Sequence, residues 1–401
     1  MRKLVAATFL MTAGLGMSLF GIEAAPELNA KYHDSSKCKS CHAGIVKEWS
    51  SSYHAHSHYN HDEYLRKSMD FYARKTRNPI NAVKVLCAAC HNPRVAVTST
   101  DINYNIDVLM GLDKDSAVNA AVEDNMLSEG VNCLVCHNVD AINDQLPPDK
   151  RGVHRIKWNP VGVMSGPMED AKSPYHKTQY RDFFGKDPKE LCFVCHANDR
   201  SVENLVFADT KKEYKDTARQ CADCHMSPKK EGIASNLPID NGKPKMRMVR
   251  EHGFVGAHTT WLWEDALTLD AEQKGGSFIV KIGNPNPHNI PTGFGARELI
   301  LDVIYRSGSN IIETKSISMT QHYMDKRGNP TIPHLAKEAT DNVSVPAKGS
   351  KTLKVPMVQG AGQVTFELYY RLVNDEVREM LELEEPQWSE KKFISRTTVR
   401  L

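Results

Sequence analysis

Every cysteine in the chain belongs to one repeated pentapeptide: Cys38-Lys-Ser-Cys41-His42, Cys87-Ala-Ala-Cys90-His91, Cys133-Leu-Val-Cys136-His137, Cys192-Phe-Val-Cys195-His196 and Cys221-Ala-Asp-Cys224-His225. Two thiols at this spacing reach the two vinyl groups of one haem as thioethers, and the imidazole that follows ligates the iron from the proximal side. Competing uses of the cysteines fit poorly. A zinc ribbon joins two Cys-x-x-Cys hooks around one metal, which strands the fifth hook and leaves five histidines without a purpose. Disulfides and thioredoxin-like redox pairs do not need that histidine either. The pattern predicts five covalently bound haems c, with His42, His91, His137, His196 and His225 as proximal ligands.

Successive first cysteines lie 49, 46, 59 and 29 residues apart, so each haem has only a few dozen residues to enclose it. Neighbouring haems must then share walls. Irons packed this closely form a path for electrons in short steps, and the shortest interval predicts that the fourth and fifth sites make the tightest pair.

The sixth position of each iron separates carriers from catalysts: two imidazoles suit electron transfer, whereas a vacant face binds substrate. Seventeen histidines less the five proximal ones leave His33, His54, His56, His58, His61, His154, His176, His252, His258, His288, His322 and His334. His54 opens the cluster His54-Ala-His56-Ser-His58-Tyr-Asn-His61, for which a surface zinc site is the competing reading. His176 stands in Ser173-Pro-Tyr-His-Lys. His252 and His258 bracket Gly-Phe-Val-Gly-Ala, whose glycines allow the backbone to approach a macrocycle closely. In Asn284-Pro-Asn-Pro-His288-Asn-Ile-Pro-Thr-Gly293, prolines stiffen both sides of one histidine. His54, His176, His252, His258 and His288 are the distal candidates. His288 is expected to reach a haem of its own chain or of a neighbouring copy, the latter making the protein a homo-oligomer.

At these residues the chain resembles the bacterial multihaem c-type cytochromes related to cytochrome c-554 and hydroxylamine oxidoreductase. The likeness rests on the segment from Trp49 to His54, the Ser-Pro-x-His-Lys element at His176 and the His-x-Phe-x-Gly-x-His element at His252 to His258, and it covers most of residues 38 to 260. The stretch from Pro287 to Gly293 is similar to a turn in β domains appended to other multihaem cytochromes. The family's type member has four haems, so the fifth motif and the β segment go beyond it.

The elements that must position these groups divide the chain. Leu65, Met69, Tyr72 and Ala73 within residues 61–76, and Val118, Ala121, Val122 and Met126 within 116–129, repeat at helical spacing. Residues 143–175 read as loop, interrupted by Pro147, Pro148, Pro160, Pro167 and Pro174. Past Ala271 alternation takes over: Leu299, Leu301, Val303 and Tyr305, then Leu353, Val355 and Met357, then Val364, Phe366, Leu368, Tyr370 and Leu372. The expected class is α+β, a mainly helical, loop-rich pentahaem module over 25–265 followed by a β-sandwich-like domain over 271–401.

Of the 401 residues 40% are hydrophobic, rather little for ordinary cores, as expected where macrocycles fill the interior. A formal charge of +2 offers no case for nucleic acid. Arg2-Lys3, the uncharged run Leu4 to Ile22 and the small residues Ala24 and Ala25 have the plan of a secretory signal over 1–24, cleaved after Ala24, with a retained anchor helix as the alternative. No other stretch reads as a membrane span. The expected setting is the periplasm or, beyond it, the extracellular space.

Three functions suit this plan. One is an electron carrier between a dehydrogenase or quinol-oxidising partner and a terminal acceptor, and it is the preferred reading. Another is a reductase of a nitrogen oxyanion, nitric oxide or a sulfur compound with one open-faced haem. All five motifs end in histidine, whereas pentahaem nitrite reductases typically replace that residue by lysine at the catalytic haem. The third is a subunit of an extracellular cytochrome filament. The six basic and two acidic residues of Lys229 to Arg250 read as a solvated surface balancing haem propionates, with docking of an acidic redox partner as the alternative.

Overall fold

The computed structural model describes residues 34–123, 128–147, 150–185, 188–216, 219–341 and 343–401. The leader with its cleavage site, His33 and Met126 lie outside these residues.

All five pentapeptides fold as single helical turns, because a turn of 3.6 residues sets the second cysteine and the histidine close above the first. The first lies inside Ser36–Ser50, where His42 interrupts the helix with a φ of −119°. The second ends Ile80–His91. The third is the helix Cys133–His137, capped by the Asn132 side chain, which accepts from the Leu134 N–H. The fourth begins inside Lys189–Phe193, whose last two residues are Cys192 and Phe193, and closes with the His196 N–H donating to the Cys192 carbonyl at 3.0 Å. The fifth, Cys221–His225, carries a capping box between Gln220 and Asp223. The helix anticipated over 61–76 is Glu63–Thr76, capped by Asp62 and ended by Arg77 in the left-handed region. That over 116–129 is Ala117–Glu123.

The stretch read as loop contains strands. Val139–Ile142 pairs with Ile156–Trp158, and Val163–Gly166 runs parallel to Lys177–Tyr180. Asp199–Arg200 with Val206–Ala208 and Lys230–Ile233 with Met246–Val249 add two more pairs. Pro160 falls between two of these strands and Pro167 just after one, where neither breaks a ladder. Strands of two to four residues are too short to show alternation.

The C-terminal part begins with Thr268–Lys274, three residues before the alternation shows in the sequence. Its sheets are antiparallel. One runs Ser350–Pro356, Ser277–Gly283, Thr268–Lys274; the other runs Asn310–Thr320, Glu298–Ser307, Gln363–Arg371, Lys392–Arg400. Leu299, Leu301, Val303 and Tyr305 face Tyr370, Leu368, Phe366 and Val364 across the ladder, and all eight are fully buried. Phe278, Val280 and Ile282 of the other sheet join them, with the Phe278 and Phe366 rings 5.5 Å apart edge to face. One continuous apolar core therefore lies between the sheets. Among the described residues the N-terminal part has smaller clusters, one around Val85, Tyr104 and Val118 and one of Leu65, Met69 and Val83.

Candidate functional site

What the N-terminal part has instead of a core is a cavity of about 2390 Å³. Sites for ordinary small molecules occupy about 300–1,000 Å³, so this hollow exceeds them severalfold. All ten cysteines and all five motif histidines line it. None of the cysteines forms a disulfide.

Hydrogen bonds fix the motif imidazoles. His42 Nδ1 meets the Ala234 carbonyl at 2.5 Å, His137 Nδ1 that of Ser165 at 2.8 Å, and His225 Nδ1 that of Val255 at 2.6 Å. A carbonyl only accepts, so each Nδ1 carries the proton and each Nε2 keeps a lone pair, the arrangement second-shell partners impose on metal-binding histidines. His91 Nδ1 is bonded to the Ser57 hydroxyl at 2.7 Å. Burial, above all, lowers the pKa of His91 and His137 to about 4, which keeps them neutral.

Three imidazoles from elsewhere lie across from three of these. The ring centroids of His54 and His196 are 6.2 Å apart, those of His252 and His137 6.4 Å, and those of His288 and His225 6.3 Å, with interplanar angles of 33°, 27° and 25°. Two metal–nitrogen bonds of about 2 Å and two imidazole half-widths of about 1.1 Å place trans axial rings about 6 Å apart. The separations match a single iron between each pair. His252 Nδ1 and His288 Nδ1 also donate to carbonyls, of Arg250 at 3.1 Å and Asn289 at 2.8 Å. His54 Nδ1 is buried without a hydrogen-bond partner, and burial followed by the charges of His196, His225 and His91 lowers its pKa to about 3. Among the described residues no three of His, Cys, Asp or Glu converge as a metal cage.

The remaining candidates sit differently. His176 lies within electrostatic reach of His42, and its Nδ1 meets the Lys177 carbonyl at 3.3 Å. His258 stacks on Tyr53 at 3.2 Å and bonds Gln387 Oε1 at 3.2 Å, facing the C-terminal part. His56 and His61 are exposed.

The segment between His252 and His258 serves several sites at once. Phe254 holds a φ of 46°, which a bulky residue adopts only under constraint. Its ring lies 4.5 Å from His54 and 6.0 Å from His252. The Val255 N–H donates to the His225 carbonyl at 3.0 Å while its own carbonyl holds His225 Nδ1. A Cβ at Gly253 would meet nothing within 4 Å, the open side being the cavity. His288 is held as firmly: Asn284 Nδ2 donates to its carbonyl at 2.9 Å, the Lys215 N–H donates to the Pro287 carbonyl at 2.7 Å, and Gly293 turns the chain with a φ of 77°.

Sequence order is not spatial order. Cys38 is hydrogen-bonded to Cys133, Cys90 to Cys195 and Cys192 to Cys221, contacts that dominate the shifts of the Cys133, Cys90 and Cys192 thiols. The Cys136 charge acts on Cys192 and Cys195. The first site thus adjoins the third, and the fourth adjoins the second, third and fifth. The fourth and fifth motifs do touch, as their short spacing suggests, but two other pairs of motifs touch as well. The basic stretch after the fifth motif is largely neutralised: Lys245 and Arg247 pair with Asp170 at 2.6 Å, Arg250 with Asp223 at 2.6 Å, and Lys230 with Glu251. Carboxylates of the chain itself do the balancing. Among the described residues no helix is long and apolar enough to cross a membrane.

The fold is shared with a solved multihaem cytochrome. A penta-heme cytochrome c552 from Thermochromatium tepidum aligns over 92% of this chain and 98% of its own, with a TM-score of 0.66 and 18% identity. At that identity the likeness shows the fold alone. A superoxide reductase in its oxidised state aligns over 34% of this chain and 88% of its own at 9% identity, and its TM-score of 0.17 carries no shared architecture. No family model and no curated protein matches the chain.

Proposed function

We propose that the chain is an exported c-type cytochrome that holds five covalent haems and passes electrons between redox protein partners. The observation that carries this is the convergence of all five pentapeptides on one cavity, with three imidazole pairs spaced for an iron between them. Bound haem supplies one-electron chemistry at iron. The chain's part is to fix the distance and orientation of each group. The cysteines of each turn would anchor it, and the histidine of the turn would hold its iron together with His54 at the fourth site, His252 at the third and His288 at the fifth. His176 takes that role at the first site. At those four sites imidazole on both faces would leave no position for substrate, which favours a carrier over a reductase. The contacts between motifs form a branched path: the first site leads through the third to the fourth, which opens to the second and the fifth.

In this reading residues 1–24 direct export to the periplasm, 25–265 form the haem module, and 271–401 form a β-sandwich-like domain that donates His288. Low-temperature EPR of the oxidised protein, with a haem count on the same sample, tests it. Five haems with low-spin signals are expected. A dominant high-spin haem that binds nitric oxide or nitrite and turns over with a reductant would replace the carrier by the reductase.

A further inference from the structure

With His54, His252 and His288 across from the fourth, third and fifth motif histidines and His176 near the first, the second site is left without one of the five sequence candidates. A series of contacts leads from it to the β region. Gly152 lies against the second motif so closely that a Cβ there would fall 1.9 Å from the Ala89 carbonyl oxygen and 2.9 Å from Cys90 Sγ. That contact sets the neighbouring Arg151 beside the motif, where it forms an ion pair with Asp199, just beyond the fourth motif. Three residues on, the Val202 N–H donates to the His334 carbonyl at 2.9 Å. His334 lines the same cavity as Cys87, Cys90 and His91.

We propose that His334 is the distal ligand of the second site, so that the β region donates to two sites, the second through His334 and the fifth through His288.

Three observations support the assignment. His334 is presented as His288 is: a proline precedes each, and Pro333 opens the short 3-10 turn Pro333–Leu335. That turn is anchored by Ile332, Pro333, Leu335 and Ala336, all buried, while the Phe207 ring meets the imidazole edge to face at 4.8 Å. A rigid turn presents a ligand at little entropic cost. Asp199 and Arg151 act on both His91 and His334, and His334 itself acts on His91, as His196 also does, so the two imidazoles share one part of the cavity. Finally, of the two histidines of this region besides His288, His322 is exposed and bonded to Glu376, which leaves His334 as the donor from this side.

The inference rests on the haem reading above, and the test separates the two. Full-length protein matured with haem is compared with His334→Ala, His334→Met and His334→Ala/His288→Ala, each with a haem count and low-temperature EPR. The expected result is five haems throughout, one of five turned high-spin in His334→Ala, two of five in the double variant, and return of the low-spin signal on adding imidazole. Met should keep the second haem low-spin and raise its midpoint potential while the other four stay put, because Met/His ligation raises the potential; this reads the site even where the Ala variant fails to accumulate. A His334→Ala protein with five haems and an unchanged spectrum overturns the proposal, as does a high-spin haem already present in the unaltered chain and untouched by the substitution. Fewer than five haems in the unaltered chain defeats the haem reading itself, and the proposal with it.

Discussion

The carboxylate of Glu63, on the helix leading to the second motif, accepts the indole N–H of Trp388 at 2.6 Å, from near the far end of the chain. The same carboxylate accepts the backbone N–H groups of Glu384 and Glu385 at 3.0 Å each. Glu63 is buried, and it is a polar fastening between the cavity walls and the β region.

Glu63→Ala leaves three donors without their acceptor. Hydrogen bonds to a charged group contribute about 1.5–3 kcal/mol, and buried donors left unpaired cost about as much again. A loss of about 3 kcal/mol in chemical denaturation is expected. Burial pushes the Glu63 pKa up, but the Glu384, Glu385 and Trp388 donors outweigh it and hold the carboxyl below its ordinary 4.5. A depressed carboxyl stabilises fully above the unfolded-state value and loses that contribution as pH falls through the folded one. Below about pH 4.5 the gap between wild type and Glu63→Ala should therefore narrow; a gap constant down to pH 3 would show that the ionised carboxylate is not the fastening.

Glu213 should behave in the opposite sense. Burial raises its pKa to about 7 against the hydrogen bond from Thr292. A raised acid favours the fold while protonated, so its contribution is complete below the unfolded value near 4.5 and is lost as pH rises to about 7. Glu213→Gln keeps the shape and an acceptor for Thr292 but cannot ionise. Between pH 5 and pH 7.5 the variant should lose less stability than wild type, and parallel pH profiles would rule out Glu213 as the cause.

Replacing Cys87 and Cys90 by Ala should yield protein with four haems in place of five, read by intact mass and haem assay. Cys87 borders the small cluster of Leu65, Met69 and Val83, which meets the main core through Tyr72. Losing a macrocycle from that wall should cost more than the ~3–5 kcal/mol of truncating one buried aromatic residue. A variant that still carries five haems would mean that single-motif attachment is the wrong chemistry.

What could be read from the sequence follows from how local each feature is. A Cys-x-x-Cys-His turn is complete within five residues, and the β strands from Glu298 onward are long enough to show alternation. The candidacy of His288 was open to inference because prolines mark the loop, whereas its place across from His225 was not. His334 carries the same mark in Pro333 alone, and the sequence does not separate it from His322; only the fold sets one on the cavity wall and exposes the other. The adjacency of the first and third motifs, and of the second and fourth, leaves no local trace, because it arises from how the helical turns pack around one cavity. The strand pairs of the N-terminal part escaped for a related reason, being shorter than the period that would reveal them.

His252 and His258 belong to one short segment and looked equivalent as ligands, yet the structure sets them to different tasks. His252 lies across the cavity from His137, whereas His258 stacks on Tyr53 and bonds Gln387. His252→Ala should leave haem content unchanged and turn one low-spin haem high-spin. His258→Ala should leave every spin state as it was and instead weaken the contact between the two parts of the chain. A stacked aromatic pair contributes about 0.5–1.5 kcal/mol and a neutral hydrogen bond about 1 kcal/mol, so a loss of about 2 kcal/mol and faster proteolysis between residues 258 and 268 are expected. EPR and limited proteolysis of the two variants side by side decide the matter, because a high-spin haem in His258→Ala would move this histidine from the domain contact to an iron.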